Sequence, residues 1–299
     1  LPLLNRAAGR RIPTGSTVKP LVALGALTRG AITPETTFFC QGYLHTPGSF
    51  RCHSRHGRVG LTEAIQKSCN VYFYKIGDAM GPRRLARWLQ YWGFAEPPGT
   101  GLPEERRGLV PTAAWLQRHR QRSARPGDAR NMAVGQGEFS ATPLHMAAAV
   151  ATVARDGLFL SSVLVRDGGP PQVHRPLPID PAHLRRVRAA MDDVVNRRGG
   201  TAWRAFHRQG PPPPVRACGK TGTAQTVPQR VDSNENGRID AGDRIVRSGD
   251  TAWFVGYAPR DHPQIAWAIE RDYAGHGGTA CAPLAADLLH YCAARGMFR

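Results

Sequence analysis

Two short segments near the carboxyl end of the chain constrain its fold most strongly. "GDTAWFVGYA" at 249–258 and "QIAWAIERD" at 264–272 are apolar at consecutive positions rather than at alternate ones. This pattern is typical of strands in a sheet that helices cover on both faces. "KTGTAQTV" at 220–227 predicts a third strand, and "CAPLAADLLHYCAARG" at 281–296 predicts an amphipathic helix that covers one face of the sheet.

The preceding two thirds of the chain predict helices. Five helices are expected. The first starts near Ser16 and closes at Arg29 and Gly30, the second covers 61–80 with an interruption at "SCN", and the third covers 82–92. The last two follow the N-caps Thr142 and Asp180. In the last two, a proline takes the first helical position and a glycine follows the end. The predicted order is a set of helices, then an antiparallel sheet late in the chain, then a closing helix. This order predicts an α+β fold with a helical lobe.

Composition limits the classes of function. A chain of 299 residues with 41% apolar residues can bury a large core, in one large domain or two small ones. It contains neither a run of about 18 apolar residues nor a signal-peptide segment, so we expect that it neither spans a membrane nor exports itself. The net charge of +18 would suit nucleic acid, anionic lipid or carboxylate substrates. Because the arginines are scattered, we predict a solvated basic surface and no nucleic-acid partner.

The first motif with chemical content is "STVK" at 16–19. Lysine is scarce in this chain, occurring only at 19, 67, 75 and 220, and unlike arginine it can lose its proton in a dry, positively biased site. Ser16 and Lys19 are three apart on a predicted helix, so we expect their side chains on one face, within reach of each other. A neutral Lys19 at the helix N-terminus could then take the Ser16 proton. Taken alone, this motif is explained about equally well by the start of an ordinary surface helix and by a catalytic serine–lysine pair.

Two further motifs change that balance. "SCN" offers Ser68 as a hydroxyl relay and Asn70 as an amide that could hold a peptide carbonyl. "KTGT" offers Lys220 as a fixed cation, Gly222 as a position where substrate backbone can approach, and two hydroxyls, from Thr221 and Thr223, that can bind a carboxylate. S-x-x-K, S-x-N and K-T-G in this order form the motif set of penicillin-binding proteins and β-lactamases.

The chain resembles the transpeptidase domain of class B penicillin-binding proteins nearly end to end. The resemblance rests on "PLLNRAAGRRIPTGSTVKP", "AIQKSCNVYFYKIG", "MAVGQGEFSATPLHMA", "GKTGTAQ", "DTAWFVGYAP" and "GGTACAPLAADLL", and "SCNVYFY" is most similar to the elongation-specific branch. It implies the penicillin-binding protein/β-lactamase-like fold and a D,D-transpeptidase that cross-links peptidoglycan stem peptides and is a target of β-lactams. It also implies a location at the periplasmic face of the cytoplasmic membrane, with a membrane-embedded glycosyltransferase and elongation-machinery proteins as partners.

The resemblance assigns a role to each motif residue. Ser16 would be the nucleophile and Lys19 the general base, while Ser68 would carry the proton to the leaving amine. Asn70 would orient the acyl-enzyme and Lys220 would tune Ser68 electrostatically.

The remaining roles concern substrate binding. Thr221 and Thr223, beside Gly222, would bind the terminal carboxylate. Backbone N–H groups of Ser16 and Thr223 would form the oxyanion hole. No cofactor is expected for the chemistry.

The chain departs from the family pattern in two respects. Thr14 precedes Gly15 where proline is usual. The membrane anchor, the pedestal and two sheet strands that family members carry before the nucleophile are not in the sequence. We therefore expect residues 1–299 to be a transpeptidase domain from a longer anchored protein, with the strand at 264–270 left as an apolar edge.

Four residues in the segment 40–69 form a candidate zinc site. Cys40, Cys52, His56 and Cys69 have the composition of a closed structural zinc site, and some elongation-type relatives hold zinc near this motif. Since Cys69 lies between the second-motif residues, zinc would fix that turn. The alternative is a Cys40–Cys52 disulfide with His56 exposed. His45 and His53 are spare candidate ligands, whereas Cys218, Cys281 and Cys292 are expected to be buried without chemistry.

The segment "DSNENGRIDAGD" at 232–243 fits the spacing of a calcium-binding loop. The candidate ligands are Asp232, Asn234, Asn236, Arg238, Asp240 and Asp243. Because the segment links two predicted strands, an EF-hand pair is excluded and calcium would be structural. A solvated polar hairpin loop is the alternative.

Two rival functions share the acylation chemistry. A D,D-carboxypeptidase or β-lactamase would pass the acyl group to water, and a noncatalytic β-lactam-binding sensor would retain it. Asn70, the stretch "GQGEFSATPLH" and the lack of an E-x-x-x-N motif after the second element favour the transpeptidase.

Overall fold

The computed structural model describes residues 4–165, 173–208 and 210–298. Its helices are α1 Arg6–Gly9, α2 Lys19–Thr28, α3 Leu61–Gln66, α4 Asn70–Tyr91, α5 Ala113–Arg120, α6 Pro126–Ala133, α7 Pro143–Ala154, α8 Pro181–Asn196, α9 Trp203–His207, α10 Gly277–Ala280 and α11 Ala282–Ala294. Its strands are β1 Phe38–Cys40, β2 Gly57–Val59, β3 Leu158–Leu160, β4 His174–Pro176, β5 Cys218–Ala224, β6 Gln229–Val231, β7 Arg244–Arg247, β8 Thr251–Ala258 and β9 Ile265–Arg271. Pro2 and Leu3, at the start of the first segment that carries the resemblance, lie outside the described residues.

A three-stranded antiparallel sheet in the order β5-β8-β9 forms the centre of the molecule. All residues of β8 are buried, as expected for a strand covered on both faces. Helices α7 and α8 pack against the sheet at β9 and β5, and α11 packs against β8 and β9. The three predicted strands, the closing helix and the α+β fold are therefore confirmed.

Strand β9 is an edge of the sheet, since it pairs only with β8 within the described residues. Most of its side chains are half-buried and Trp267 is buried. It is less enclosed than its apolar sequence suggests, because only one neighbouring strand covers its backbone.

The helices with proline-led starts form as predicted. Thr142 Oγ1 accepts a hydrogen bond from the N–H of His145, and Asp180 Oδ1 accepts one from the N–H of Ala182. Each cap satisfies an N–H that has no partner within its helix. Gly157 and Gly199 follow the two helices with positive φ, which glycine adopts without strain.

The predicted helices differ from the observed ones at one place. Gly15–Val18 forms a 3-10 turn, so the α-helix starts at Lys19 rather than near Ser16. The break between the expected segments 61–80 and 82–92 is confirmed at Gly81, where φ is 68° and ψ is 162°, and the predicted interruption at "SCN" separates α3 from α4. The helix resumes because proline is compatible with a helical first turn.

The predicted core is confirmed for the helical lobe. Ile65, Tyr72, Ile76, Trp88 and Trp92 have relative exposures of 0–1%. None of the helices in the described ranges is both long enough and apolar enough to cross a membrane.

Candidate active site

Strand β5 carries the third motif. Its antiparallel register with β8 places Lys220 opposite Val255 and Thr223 opposite Ala252. Lys220 is fully buried and its Nζ donates to the Thr221 carbonyl at 2.9 Å. Burial lowers the pKa of Lys220 well below its usual range, and the nearby Lys19 lowers it further.

The first motif packs directly on this strand. Gly15 has φ of 54°, and a Cβ there would lie 2.4 Å from the Thr223 carbonyl oxygen and 3.0 Å from the Thr223 nitrogen. Its N–H donates to the Gly135 carbonyl at 2.9 Å. Only glycine allows this approach, which brings the backbone before Ser16 against the end of the third motif.

The second motif lies in the break between α3 and α4. Ser68 adopts φ of 57°, a left-handed conformation that costs energy for a residue other than glycine and is frequent at functional sites. The break turns both Ser68 and Asn70 toward Lys19. Lys19 Nζ donates to the Ser68 carbonyl at 2.8 Å, to Ser68 Oγ at 3.2 Å and to Asn70 Oδ1 at 2.7 Å.

The Lys19 amine is fully buried, and burial lowers its pKa to about 8. The cysteines at 52, 69 and 40 act in the opposite direction. A substantial fraction of the amine is therefore neutral at physiological pH. An arginine could not supply such a base at this position.

The predicted proximity of the Ser16 and Lys19 side chains stays a prediction, since no hydrogen bond joins them in the described part of the chain. Within the described residues, Lys19 Nζ is hydrogen-bonded to the second motif and not to Ser16, whose half-buried hydroxyl has no hydrogen bond of its own. The reason is the 3-10 turn, which places Lys19 as the first residue of α2 and directs its amine toward Ser68. Lys220 Nζ contacts the Thr221 carbonyl, and its electrostatic effect on Ser68 stays a prediction.

Asn70 is held at both ends of its amide. Its Oδ1 accepts from Lys19, and its Nδ2 donates to the Arg51 carbonyl at 3.0 Å. One Nδ2 proton remains for a ligand. The side chain is thus fixed in place while retaining a donor for the role that the resemblance implies.

Three contacts to the third motif were not anticipated from the sequence. Gln136 Nε2 donates to the Thr223 carbonyl at 3.1 Å, Thr201 Oγ1 lies 2.6 Å from Thr221 Oγ1, and His276 Nδ1 lies 3.3 Å from Thr223 Oγ1. Gln136 belongs to the quoted segment "MAVGQGEFSATPLHMA", which could have indicated it. Thr201 and His276 belong to none of the motifs or segments quoted above.

The four candidate zinc ligands converge behind the second motif. The ligand atoms of Cys40, Cys52, His56 and Cys69 all lie within 4.8 Å of one another, and all six cysteines of the chain are free. His56 Nδ1 is 3.5 Å from both Cys40 Sγ and Cys52 Sγ. The N–H of Asn70 donates to Cys52 Sγ at 3.2 Å, so this cluster touches the catalytic turn.

The other three cysteines are buried outside this cluster, as predicted. Of the spare candidates, His53 lies 4.0 Å from Cys52 Sγ, and neither His53 nor His45 belongs to the converging group.

The segment 232–243 connects strands β6 and β7 of a small hairpin, which confirms its place between two strands. Asp232 accepts hydrogen bonds from the N–H groups of Asn236 and Gly237, and Asp243 accepts from those of Ser233 and Asp240. These hydrogen bonds, between groups of the segment itself, order the loop.

Comparison with known proteins identifies the family. Residues 2–290 match the family described as "Penicillin binding protein transpeptidase domain". The peptidoglycan D,D-transpeptidase MrdA of Haemophilus influenzae is 34% identical over 304 residues, covering 97% of this chain and 46% of that protein. MrdA of Escherichia coli K12 is 33% identical over 291 residues, covering 92% and 44%. The chain thus spans about half the length of these curated relatives.

Solved structures agree with this match. PBP2 of Helicobacter pylori in complex with MreC superposes with a TM-score of 0.83 and 28% identity, covering 99% of this chain and 52% of that one. PBP2 of Pseudomonas aeruginosa in complex with WCK 5153 gives a TM-score of 0.80 and 32% identity, covering 97% and 62%. The expected fold is confirmed, and the chain belongs to the penicillin-binding protein transpeptidase family, in the class B branch with the MrdA proteins.

Proposed function

We propose that the chain is the catalytic domain of a peptidoglycan D,D-transpeptidase that acts through a Ser16 acyl-enzyme. The observation that carries the proposal is the contact of the buried Lys19 amine with Ser68 and Asn70, beside the turn Gly15–Val18, here called the nucleophile turn, which packs on the third motif. The curated relatives named above bear the same activity in their names.

The first step is attack of Ser16 Oγ on the carbonyl between the two terminal D-alanines of a stem peptide. Lys19, as the neutral amine, takes the hydroxyl proton while the new ester bond forms. Because Lys19 Nζ is 3.2 Å from Ser68 Oγ, the proton can pass through Ser68 to the leaving amine of D-alanine. An amine of a second stem peptide then attacks the ester, and Ser16 regains its proton.

The backbone around Gly15 and Thr223 supports the transition state. The N–H groups of Ser16 and Thr223 would donate to the oxyanion, and their peptides are adjacent because Gly15 packs on Thr223. In hydrolases, losing one such donor costs roughly 3–4 kcal/mol of transition-state stabilisation. Thr221 and Thr223 would hold the terminal carboxylate.

The fate of the acyl group tests the assignment. Purified chain is given a stem-peptide donor ending in D-Ala-D-Ala together with an amine acceptor, and released D-alanine and cross-linked product are measured. A transpeptidase forms both products, a carboxypeptidase releases D-alanine without cross-linking, and a β-lactam sensor does neither. The Ser16→Ala variant serves as the blank.

We also infer that Cys40, Cys52, His56 and Cys69 hold a structural zinc ion. A tetrahedral zinc with bonds of about 2.0–2.1 Å to nitrogen and about 2.3 Å to sulfur separates these atoms by about 3.5 Å. The separations of His56 Nδ1 from two sulfurs match this value. Such an ion would bind and neutralise the thiolates and fix the turn from Ser68 to Asn70. The four free, converging ligands favour zinc over the Cys40–Cys52 disulfide.

The proposed setting is the periplasmic face of the cytoplasmic membrane, in a longer anchored chain that works with a glycan polymerase. The curated relatives are about twice as long as this chain. Neighbouring structures include a PBP2–MreC complex and a peptidoglycan synthase complex that coordinates polymerization and crosslinking, 30% identical to this chain. Co-purification of the native protein with a membrane glycosyltransferase would support this setting, and its absence from membranes would contradict it.

A further inference from the structure

His276 is an exposed histidine at the rim of the candidate active site. Its Nδ1 lies 3.3 Å from Thr223 Oγ1, a hydroxyl proposed to bind the substrate carboxylate. Across residues 4–165, 173–208 and 210–298, no other histidine hydrogen-bonds to a third-motif residue. The His276 ring can therefore influence the binding of a ligand by the Thr223 hydroxyl.

The backbone next to His276 is fixed by close packing. A Cβ on Gly277 would lie 1.9 Å from the Trp253 carbonyl oxygen and 2.7 Å from that of Gly222. The His276 carbonyl accepts hydrogen bonds from the N–H groups of Thr279 at 3.1 Å and Ala280 at 2.9 Å. The central sheet and helix α10 thus hold the ring beside Thr223.

Neither buried lysine points at this end of the site. Lys19 Nζ donates to the second motif, and Lys220 Nζ donates to the Thr221 carbonyl. The charged or titratable groups on the surrounding elements are Cys218 and Lys220 of β5, Tyr257 of β8, Arg204 and His207 of α9, Asp287, His290, Tyr291 and Cys292 of α11, and Glu270 and Arg271 of β9. Within the described residues, none of them hydrogen-bonds to the His276 ring.

The protonation of the ring decides what Thr223 can offer a ligand. A threonine hydroxyl has a single proton. If Nδ1 is unprotonated, that proton is donated to the ring, and the hydroxyl presents only lone pairs to an approaching carboxylate. If Nδ1 carries a proton, the ring donates to Thr223 and the hydroxyl proton is available for the carboxylate. An imidazolium always meets this second condition and adds a positive charge.

We propose that His276 is a carboxylate-recognition residue that, as the imidazolium, donates to Thr223 Oγ1 and directs the hydroxyl proton toward the carboxylate of the acyl donor. That carboxylate belongs either to the terminal D-alanine of a stem peptide or to a β-lactam. The inference rests on the proposed function, because it takes Thr223 as a carboxylate ligand.

The test separates the carboxylate from the rest of the ligand. Acylation is measured against concentration with a fluorescent penicillin and with the methyl ester of the same compound, from about pH 5.5 to 8.5, where imidazoles change charge. The proteins are wild type, His276→Ala, His276→Gln and the matched control His262→Gln, which changes another exposed histidine. Melting temperatures check that each variant is folded.

For the acid, we expect the half-saturating concentration of wild type to rise about fivefold with increasing pH, the size of an exposed charged contact. His276→Ala should bind weakly at every pH. His276→Gln, whose amide can donate to Thr223, should bind at an intermediate level without pH dependence. The ester should bind equally to all four proteins, and His262→Gln should behave as wild type.

Two results would overturn the inference while leaving the proposed function intact. One is an unchanged pH dependence in His276→Ala, and the other is an equal loss of affinity for acid and ester, which would show a merely structural role. Failure of wild type to be acylated by either compound would instead contradict the proposed function, and this inference with it.

Discussion

Lys19 is fully buried, yet it is hydrogen-bonded to a carbonyl, a hydroxyl and an amide oxygen rather than to a carboxylate. Without a paired negative charge, desolvation favours the neutral amine. Its three partners, all in the second motif, also fix the amine in place. Position and neutrality together make it suited to accept a proton.

The acylation rate should therefore follow the deprotonation of Lys19. Because burial lowers the pKa of this amine to about 8, the neutral base predominates above that pH and decreases about tenfold per pH unit well below it. The limiting rate of acylation of Ser16 by a β-lactam should rise with pH and level off above about 8. Stopped-flow acylation measures this, and a rate that falls between pH 7 and pH 9 would contradict the base assignment.

At the scale of elements, the site depends on the close packing of the nucleophile turn against the loop that contains Gly135. A Cβ on Gly135 would lie 2.0 Å from the Gly15 carbonyl oxygen and 2.6 Å from Thr14 Oγ1. Neither backbone can move without displacing Ser16 from β5. This contact explains how a segment without a catalytic side chain can control the geometry of the nucleophile.

Gly135→Ala should abolish acylation and lower the melting temperature, whereas Gly30→Ala should do little to acylation. Both glycines have positive φ, of 70° and 63°, but no atom lies within 4 Å of the position of a Cβ on Gly30. Gly30→Ala thus reports the backbone strain alone, about 1–2 kcal/mol. The additional loss of stability in Gly135→Ala reports the steric clash. Normal acylation by folded Gly135→Ala would contradict the packing argument.

Zinc should be present at about one ion per chain and should be lost in Cys69→Ser. Because the cluster borders Ser68 and Asn70, removal should also lower the melting temperature. Elemental analysis and thermal unfolding measure both effects. Cys292→Ser, at a buried cysteine outside the cluster, is the control. Metal-free protein with full stability and an oxidised Cys40–Cys52 pair would support the disulfide instead.

The calcium assignment of segment 232–243 stays a prediction. If the loop binds the ion, calcium should raise the melting temperature of wild type but not of Asp232→Ala. We expect the rise in melting temperature to be small, because hydrogen bonds within the loop already order it. An identical response of both proteins would favour the solvated hairpin.

At the scale of the whole molecule, the sequence was sufficient for the fold class, the three sheet strands, the proline-led helices and the buried tryptophans. These features follow from local signals: consecutive apolar residues, caps and glycines after helix ends. The three motifs also lie together in the structure, although Ser68 and Lys220 follow Ser16 by 52 and 204 residues along the chain.

What the sequence did not give was the pairing of side chains across elements. Lys19 Nζ is hydrogen-bonded to Ser68 and not to Ser16. This pairing depends on a 3-10 turn and on the left-handed backbone conformation of Ser68, neither of which has a local sequence signature here. The contacts of Gln136 and His276 with Thr223 join segments 53–87 residues apart. Such contacts are set by tertiary packing and not by periodicity.

The central claim is that an uncharged amine at position 19 activates Ser16. The most direct measurement is the rate at which a penicillin adds to Ser16, followed by intact-protein mass spectrometry and peptide mapping, in wild type, Lys19→Arg and the control Lys75→Arg, which changes a half-buried lysine that lies over the Phe38 ring. The account predicts a single adduct on Ser16, unchanged in Lys75→Arg and slowed at least about a hundredfold in folded Lys19→Arg, because arginine keeps the charge and cannot act as a base. Addition at the wild-type rate in Lys19→Arg, or at a residue other than Ser16, would contradict it.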